Sequence, residues 1–296
     1  MVRSHCCWPA VPAPPRTPRP PPVLAACGAA AAVSAIFGNP LVAAVLFLEL
    51  LGLGRRAATL VLLPCLVASG VGALVFTGLG RWTGLDIGSL AIPDLGPTGL
   101  RVGDVLWTVP IAAVVAALTW AVFGLGRRVA ESARTRLLAT TVGAGVVAAT
   151  AAMGYGAATD RSPTEVVLSG QATLGVLAAA PSAWSTGALV LLVLAKGLAY
   201  AVCLGAFRGG AVFPAIFLGA AVGVVASTAA PGLGAVPALA AGMAAGVAVL
   251  GLPVTSILLV VLLLGEAAGD LMPVVILAAV TAFVVEEALT ARGSPR

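Results

Sequence analysis

Apolar residues run along this chain in long blocks separated by short polar or Gly/Pro-bearing breaks, and most blocks have the length of a membrane helix. Val23–Phe37 and Pro40–Leu53 form the first pair, interrupted at Gly38-Asn39-Pro40. Each is shorter than the ~20 residues of a straight crossing, and a proline turns the residue before it away from the helical conformation. The pair therefore predicts broken, tilted helices. Ala57–Gly80 is long enough to cross, and residues 81–104, with Asp86, Asp94, Asp104, Pro93 and Pro97, predict an exposed loop. Val105–Gly126 and Leu137–Ala158 are crossings on either side of a polar break containing Arg127, Arg128, Arg134 and Arg136. A short apolar segment, Thr164–Ala180, stops at Pro181, and Gly187–Phe207 crosses to Arg208. Ala211–Ser227, Val236–Leu250, Leu252–Gly265 and Leu271–Leu289 complete the set. The pattern predicts an all-α, polytopic membrane protein.

Composition adds the exclusion of soluble classes: 60% of the 296 residues are hydrophobic and 9% charged, too few polar groups to cover a soluble domain of this size. The net charge of +5 is modest, and the arginines cluster between apolar spans, which points to membrane topology and away from nucleic acid. Arg55-Arg56, the Arg127–Arg136 group and Arg208 fall at one set of span ends, the acidic stretches Asp86–Asp104 and Asp160–Glu165 at the other. The excess of arginine assigns its ends to the cytoplasm, consistent with a multi-pass protein of the plasma membrane. Residues 1–22 are rich in proline and arginine and lack the continuous apolar core of a signal peptide, so a disordered or extended tail is expected there. The membrane domain then occupies 23–290 and a short tail 291–296. Of the five cysteines, Cys27, Cys65 and Cys203 lie in apolar runs and read as small buried residues. His5-Cys6-Cys7 is a weak metal signal, so no metal or cofactor is expected. An intramembrane enzyme would need clustered His, Asp or Glu at depth, and the one histidine is His5 in the tail.

Ala31–Pro40 aligns without gaps on Ala244–Pro253, with Gly38 on Gly251 and Pro40 on Pro253. Repeated halves with helix breaks at matching positions are a transporter device, with the substrate site where the repeats meet. A third break is Arg208-Gly209-Gly210, followed by Pro214 and an apolar run. Proline is tolerated in the first turn of a helix, so a helix start is predicted near Ala211–Phe213. The first amides of a helix have no partner within it and carry its positive dipole end, a setting that suits an anion. The plainer reading is a membrane helix with Gly219 and Gly223 spaced for helix contact.

The segment Gly209-Gly210-Ala211-Val212-Phe213-Pro214 resembles the G-G-x-F-x-P segment of the CLC family of chloride channels and chloride/proton antiporters. Phe37-Gly38-Asn39-Pro40-Leu41 through Glu49, and Ala241-Gly242-Met243 through Pro253-Val254-Thr255-Ser256-Ile257, resemble two further stretches of that family, in its order. The resemblance covers about residues 23–290 and implies inverted repeats and an anion held by backbone amides. It makes Gly209, Gly210, Ala211, Val212 and Phe213 the candidate anion-binding residues, with Val212 standing where the family usually has phenylalanine. It also implies a homodimer through the helices around Pro40–Gly80 and Leu252–Leu289.

Glu49 is the only acid in Val23–Leu53. It is either a pore or gating group, as the resemblance implies, or a carboxylate at a helix end near Arg55 and Arg56. Antiporters of the family often carry a second acid beside it. Leu50 stands there in this chain, so a channel-like mode without proton coupling is expected. Lys196, inside Gly187–Phe207, either lines an anion path or snorkels or pairs with a carboxylate. Glu266 and Asp270 read as a solvated turn, and Glu286-Glu287 as interfacial. The family's early G-S-G-x-P and G-[KR]-E-G-P loops match nothing in these residues, and no tyrosine follows Leu289; Tyr155 and Tyr200 lie elsewhere. Three readings follow: a chloride-conducting protein, an N-terminally shortened non-conducting relative, or a chloride/proton antiporter.

Overall fold

A computed structural model describes residues 22–51, 55–83, 92, 95, 99–207, 209–230 and 232–293. The tail 1–21 with His5-Cys6-Cys7, the residues Asp86, Asp94 and Arg208, and the last three residues lie outside that set. Among the described residues the structure is helical with no strand, an all-α polytopic architecture. Five stretches among the described residues are long and apolar enough to cross a membrane: Val102–Thr135, Leu137–Thr159, Thr186–Ala206, Val212–Ala229 and Pro253–Arg292. The chain divides into two units, Met1–Leu90 and Ala91–Arg296.

The first unit holds α1 (Pro22–Phe37), α2 (Pro40–Leu51) and α3 (Arg55–Thr83). The break predicted at Gly38-Asn39-Pro40 is a complete stop-and-start signal. Gly38 takes a left-handed φ of 65°, which ends α1. The Asn39 side chain accepts the Leu41 N–H at 2.8 Å, and Pro40 opens α2. Helix α3 closes on α1 backbone to backbone: a Cβ on Gly72 would sit 2.7 Å from the Ala31 carbonyl oxygen. Beside that contact the buried Ser34 hydroxyl donates to the Ser69 carbonyl at 2.7 Å. Cys65 is buried with Ala30 and Ala43, and Cys27 packs against them.

The second unit contains α4 (Val102–Thr135), α5 (Leu137–Thr159), α6 (Thr164–Val167), α7 (Gln171–Ala179), α8 (Thr186–Ala206), α9 (Val212–Ala229), α10 (Ala235–Ala248), α11 (Pro253–Leu264) and α12 (Ala268–Gly293). Helix α4 departs from expectation at both ends. It begins ahead of Asp104, which is 1% exposed and not in an open loop. The Asp104 carboxylate accepts the Arg101 N–H at 2.8 Å and the Gly234 N–H at 2.7 Å, so two helix beginnings, α4 and α10, share one buried acid. Ile92, in the same expected loop, is buried and donates its N–H to Leu263 at 2.9 Å. At its other end α4 runs on through Arg127, Arg128 and Arg134. Its 34 residues reach about 51 Å, well beyond a ~30 Å hydrocarbon layer.

Small residues set the packing. Cβ atoms on Gly126 and Gly205 would meet Ala201 and the Gly126 carbonyl, and one on Gly197 would touch Val122. Successive residues thus pair 122 with 197, 126 with 201 and 130 with 205, so α4 and α8 run parallel. Their C-terminal ends lie at the same end of the unit. Helices α9 and α10 form an antiparallel seam in which Ala215 faces Gly246, Gly219 faces Gly242, and Gly223 faces Ala238. Backbone carbonyls occupy the space that any side chain at these glycines would need. The segment expected as one apolar piece, Thr164–Ala180, is split at Gly170, whose φ of 94° turns α6 into α7. The elbow between α10 and α11 repeats the one between α1 and α2: Gly251 is left-handed, φ 78°, and Pro253 opens the next helix. The aligned glycines and prolines of the sequence repeat therefore do the same backbone work in both units.

Candidate functional site

Helix α9 starts where its proline placed it. Ala211 is the N-cap and Val212 the first helical residue, with Pro214 in the first turn. Gly209 and Gly210 are exposed, and Ala211, Val212, Phe213 and Pro214 are half-buried; full burial begins at Ala215. The N–H group of Val212 is a first-turn donor, which an α-helix leaves without an acceptor inside itself, and Pro214 has no N–H to add. The positive dipole end of an 18-residue helix is thus presented at this head. Gly209 and Gly210 have open space where a Cβ would stand, and neither takes a left-handed φ. The structure therefore requires glycine at 210 neither for backbone conformation nor for close approach.

Tyr200 on α8 reaches this head. Its hydroxyl donates to the Ala211 carbonyl at 2.7 Å. The Ala215 N–H approaches the same oxygen at 3.4 Å. The Tyr200 ring is 8% exposed and stands edge-on to Phe123, with centroids 5.9 Å apart. Nothing in the local sequence signals this contact, because a buried tyrosine in an apolar helix has no recognisable motif for a backbone acceptor eleven residues on.

Lys196, one turn earlier on α8, is 1% exposed. Its ammonium donates to the carbonyls of Glu165 at 2.8 Å, Val166 at 3.3 Å and Leu168 at 2.7 Å. Three donors meet three acceptors, so the cation is fully used. It caps the carbonyl end of α6 and also lies 4.7 Å from the Phe217 ring centroid of α9. Glu165 is held by its side chain too, accepting from the Tyr155 hydroxyl at 2.5 Å and from Arg161 Nε at 3.2 Å. The Arg161 guanidinium in turn lies 3.4 Å from the Trp184 ring centroid. Lys196 thus belongs to a polar knot joining α5, α6, α8 and α9.

Glu49 lies in the first unit, half-buried in the last turn of α2, with Leu50 exposed beside it. Glu266 and Asp270 are exposed around the turn between α11 and α12, and Glu286 accepts the Thr290 hydroxyl at 2.8 Å. Of the candidate residues, the structure gathers Gly209, Gly210, Ala211, Val212 and Phe213 at one helix head, with Lys196 one element away.

Broken helices joined at left-handed glycines and proline starts, within an all-α bundle of apolar spans, define a membrane protein of the transporter and channel class. A family model described as voltage gated chloride channel matches residues 15–287. The chain belongs to this CLC family, whose activity is chloride movement across a membrane and whose members are in general channels and transporters, not enzymes. It is an integral, multi-pass membrane protein. No curated protein matched the chain.

Proposed function

We propose that this protein conducts chloride in a channel-like manner, without proton coupling, and that the anion is held at the head of α9 by the amides of Ala211, Val212 and Phe213. Gly209 and Gly210 lead the chain into that head, with open space where a Cβ would stand. The observation that carries the reading is this head: an 18-residue apolar helix opens on exposed glycines inside a chain that matches the family over residues 15–287. Leu50 beside Glu49, where antiporters of the family often carry a second acid, supports uncoupled conduction. Glu49 is the gating candidate, a half-buried carboxylate in an otherwise apolar helix. The protein works as a homodimer in the plasma membrane, through α2 and α3 in one unit and α11 and α12 in the other. Exposed Leu63, Val67 and Leu74 of α3, and Ile276, Val280 and Val284 of α12, supply apolar surface for that contact.

The test is chloride efflux from liposomes containing the purified chain, with internal pH recorded at the same time. Efflux with no proton movement, altered in its gating by Glu49→Gln, is the expected result. Proton flux in fixed ratio to chloride would make the protein an antiporter. Absence of efflux from folded, dimeric protein would favour a non-conducting relative.

A further inference from the structure

Among the described residues, the contact that packing leaves least explained is the bond between Tyr200 and Ala211. Full burial of α9 begins at Ala215, and the seam with α10 begins there too. The head, Ala211 to Pro214, is only half-buried, and the two glycines before it are exposed. A first turn preceded by two glycines has a wide choice of peptide orientations. Packing therefore does not by itself fix the direction of its leading amide.

The Ala211 carbonyl and the Val212 N–H belong to one planar, trans peptide unit, so they point in opposite directions. Whatever holds the oxygen aims the N–H. The ordinary helical hold on that oxygen is weak, an N–O separation of 3.4 Å from Ala215, whereas the Tyr200 hydroxyl sits at 2.7 Å. Tyr200 is itself well anchored. It is buried and its ring is fixed edge-on against Phe123 of α4. Its helix packs on α4 on both sides of it along the chain, at Gly197 against Val122 before it and at Ala201 and Gly205 against Gly126 after it. A hydrogen bond accepted by a carbonyl also polarises its peptide unit and makes the paired N–H a better donor.

We propose that Tyr200 is a positioning residue for anion binding: through the Ala211 carbonyl it aims and polarises the Val212 N–H toward the anion. The proposal rests on the reading of the α9 head as the anion site. It names the element that sets that site's geometry, a side chain on α8 that never touches the anion.

The experiment measures chloride affinity by calorimetry on the full chain in detergent, for the wild type and for Tyr200→Phe, which keeps the ring against Phe123 and removes only the hydroxyl. Affinity is expected to fall about 2- to 12-fold, the range that loss of one hydrogen bond spans. The chloride-to-nitrate permeability ratio in liposomes should move as well, because the donor's direction changes along with its strength. A merely structural hydroxyl would lower the melting temperature and leave affinity and selectivity of the folded protein unchanged, and that result would overturn the proposal.

A second measurement does not depend on the variant folding. The chain has two tyrosines, Tyr155 and Tyr200, so 3-fluorotyrosine labelling gives two fluorine resonances that Tyr155→Phe assigns. Exchange of gluconate for saturating chloride should shift the Tyr200 resonance and leave that of Tyr155 in place. A protein that binds chloride with no movement of the Tyr200 signal overturns the positioning role alone. A wild-type protein that neither binds nor passes chloride overturns the anion-site reading, and this proposal with it.

Discussion

At the head of α9, Gly209 and Gly210 stand in open space; a few turns further along, Gly219 and Gly223 have no room for a methyl group. In the sequence one pair is adjacent and the other spaced by four residues. In the fold they have opposite relations to their surroundings. The inner pair lets α9 and α10 meet carbonyl against Cα in a register that repeats every four residues, from Ala215 and Gly246 to Gly223 and Ala238. Membrane helices gain little from the hydrophobic effect when they associate, so a seam of this kind rests on close van der Waals contact, which needs small residues. The outer pair has no such partner. A rigid stem allows the first turn to stay open, because nothing has to pack on the head to hold the helix in place.

The sharpest way to break that comparison is one substitution applied to each pair. Gly219→Val places a branched side chain where the Gly242 carbonyl stands, and only a backbone shift relieves it. The cost is expected at or above the top of the ~1–3 kcal/mol range for overpacked sites. Little monodisperse protein should be recovered, and its melting temperature should drop sharply. Gly210→Val meets no atom within 4 Å and needs no left-handed φ, so the melting temperature should stay within the equivalent of about 0.5 kcal/mol of wild type. Equal destabilisation at both positions would mean that the head is packed after all.

Next in size is Lys196→Met. It keeps most of the side-chain volume and removes three hydrogen bonds to the α6 end. Leaving those carbonyls without their cation is expected to cost about 2–3 kcal/mol, read as a lower thermal midpoint. Chloride-to-nitrate selectivity of the surviving folded protein should be unchanged, because the cation is spent on backbone acceptors. A selectivity change at intact stability would instead return Lys196 to the anion path.

How far the sequence could foresee this depended on whether the cause of a feature lies nearby in the chain. Helix breaks at Gly38-Asn39-Pro40 and Gly251-Leu252-Pro253, and the start of α9 ahead of Pro214, were legible because proline and left-handed glycine act on their own backbone. The length of α4 was not. Hydropathy marks where the apolar span ends at Gly126, yet Arg127 to Arg134 with Ala130, Glu131 and Ala133 are good helix formers and carry the helix onward. Burial of Asp104 was also hidden, since its second donor, Gly234, lies 130 residues away. The small-residue spacing of Gly219 and Gly223 was visible, whereas its counterpart at Gly242 and Gly246 emerges only from the antiparallel register. For the candidate site, the amide cluster was legible and its supports were not. Tyr200 and Lys196 both bind backbone carbonyls, and any residue can supply a carbonyl.

The smallest change to the fold carries the most pointed question about the head. Gly210→Asp adds a carboxylate two residues before Val212, into space that is open. A carboxylate beside a helix N-terminus is stabilising by about 0.3–1 kcal/mol, so the melting temperature should hold or rise slightly. The same charge, tethered next to the Val212 amide, competes with a diffusing anion for it at a high effective concentration. Chloride efflux should therefore fall about tenfold or more while the protein becomes no less stable. Gly210→Asn has nearly the same shape without the charge and should retain most of the flux. Loss in both variants would show that bulk at residue 210 blocks the approach. Full efflux in both would place the anion away from this amide and leave α9 a packing helix from end to end.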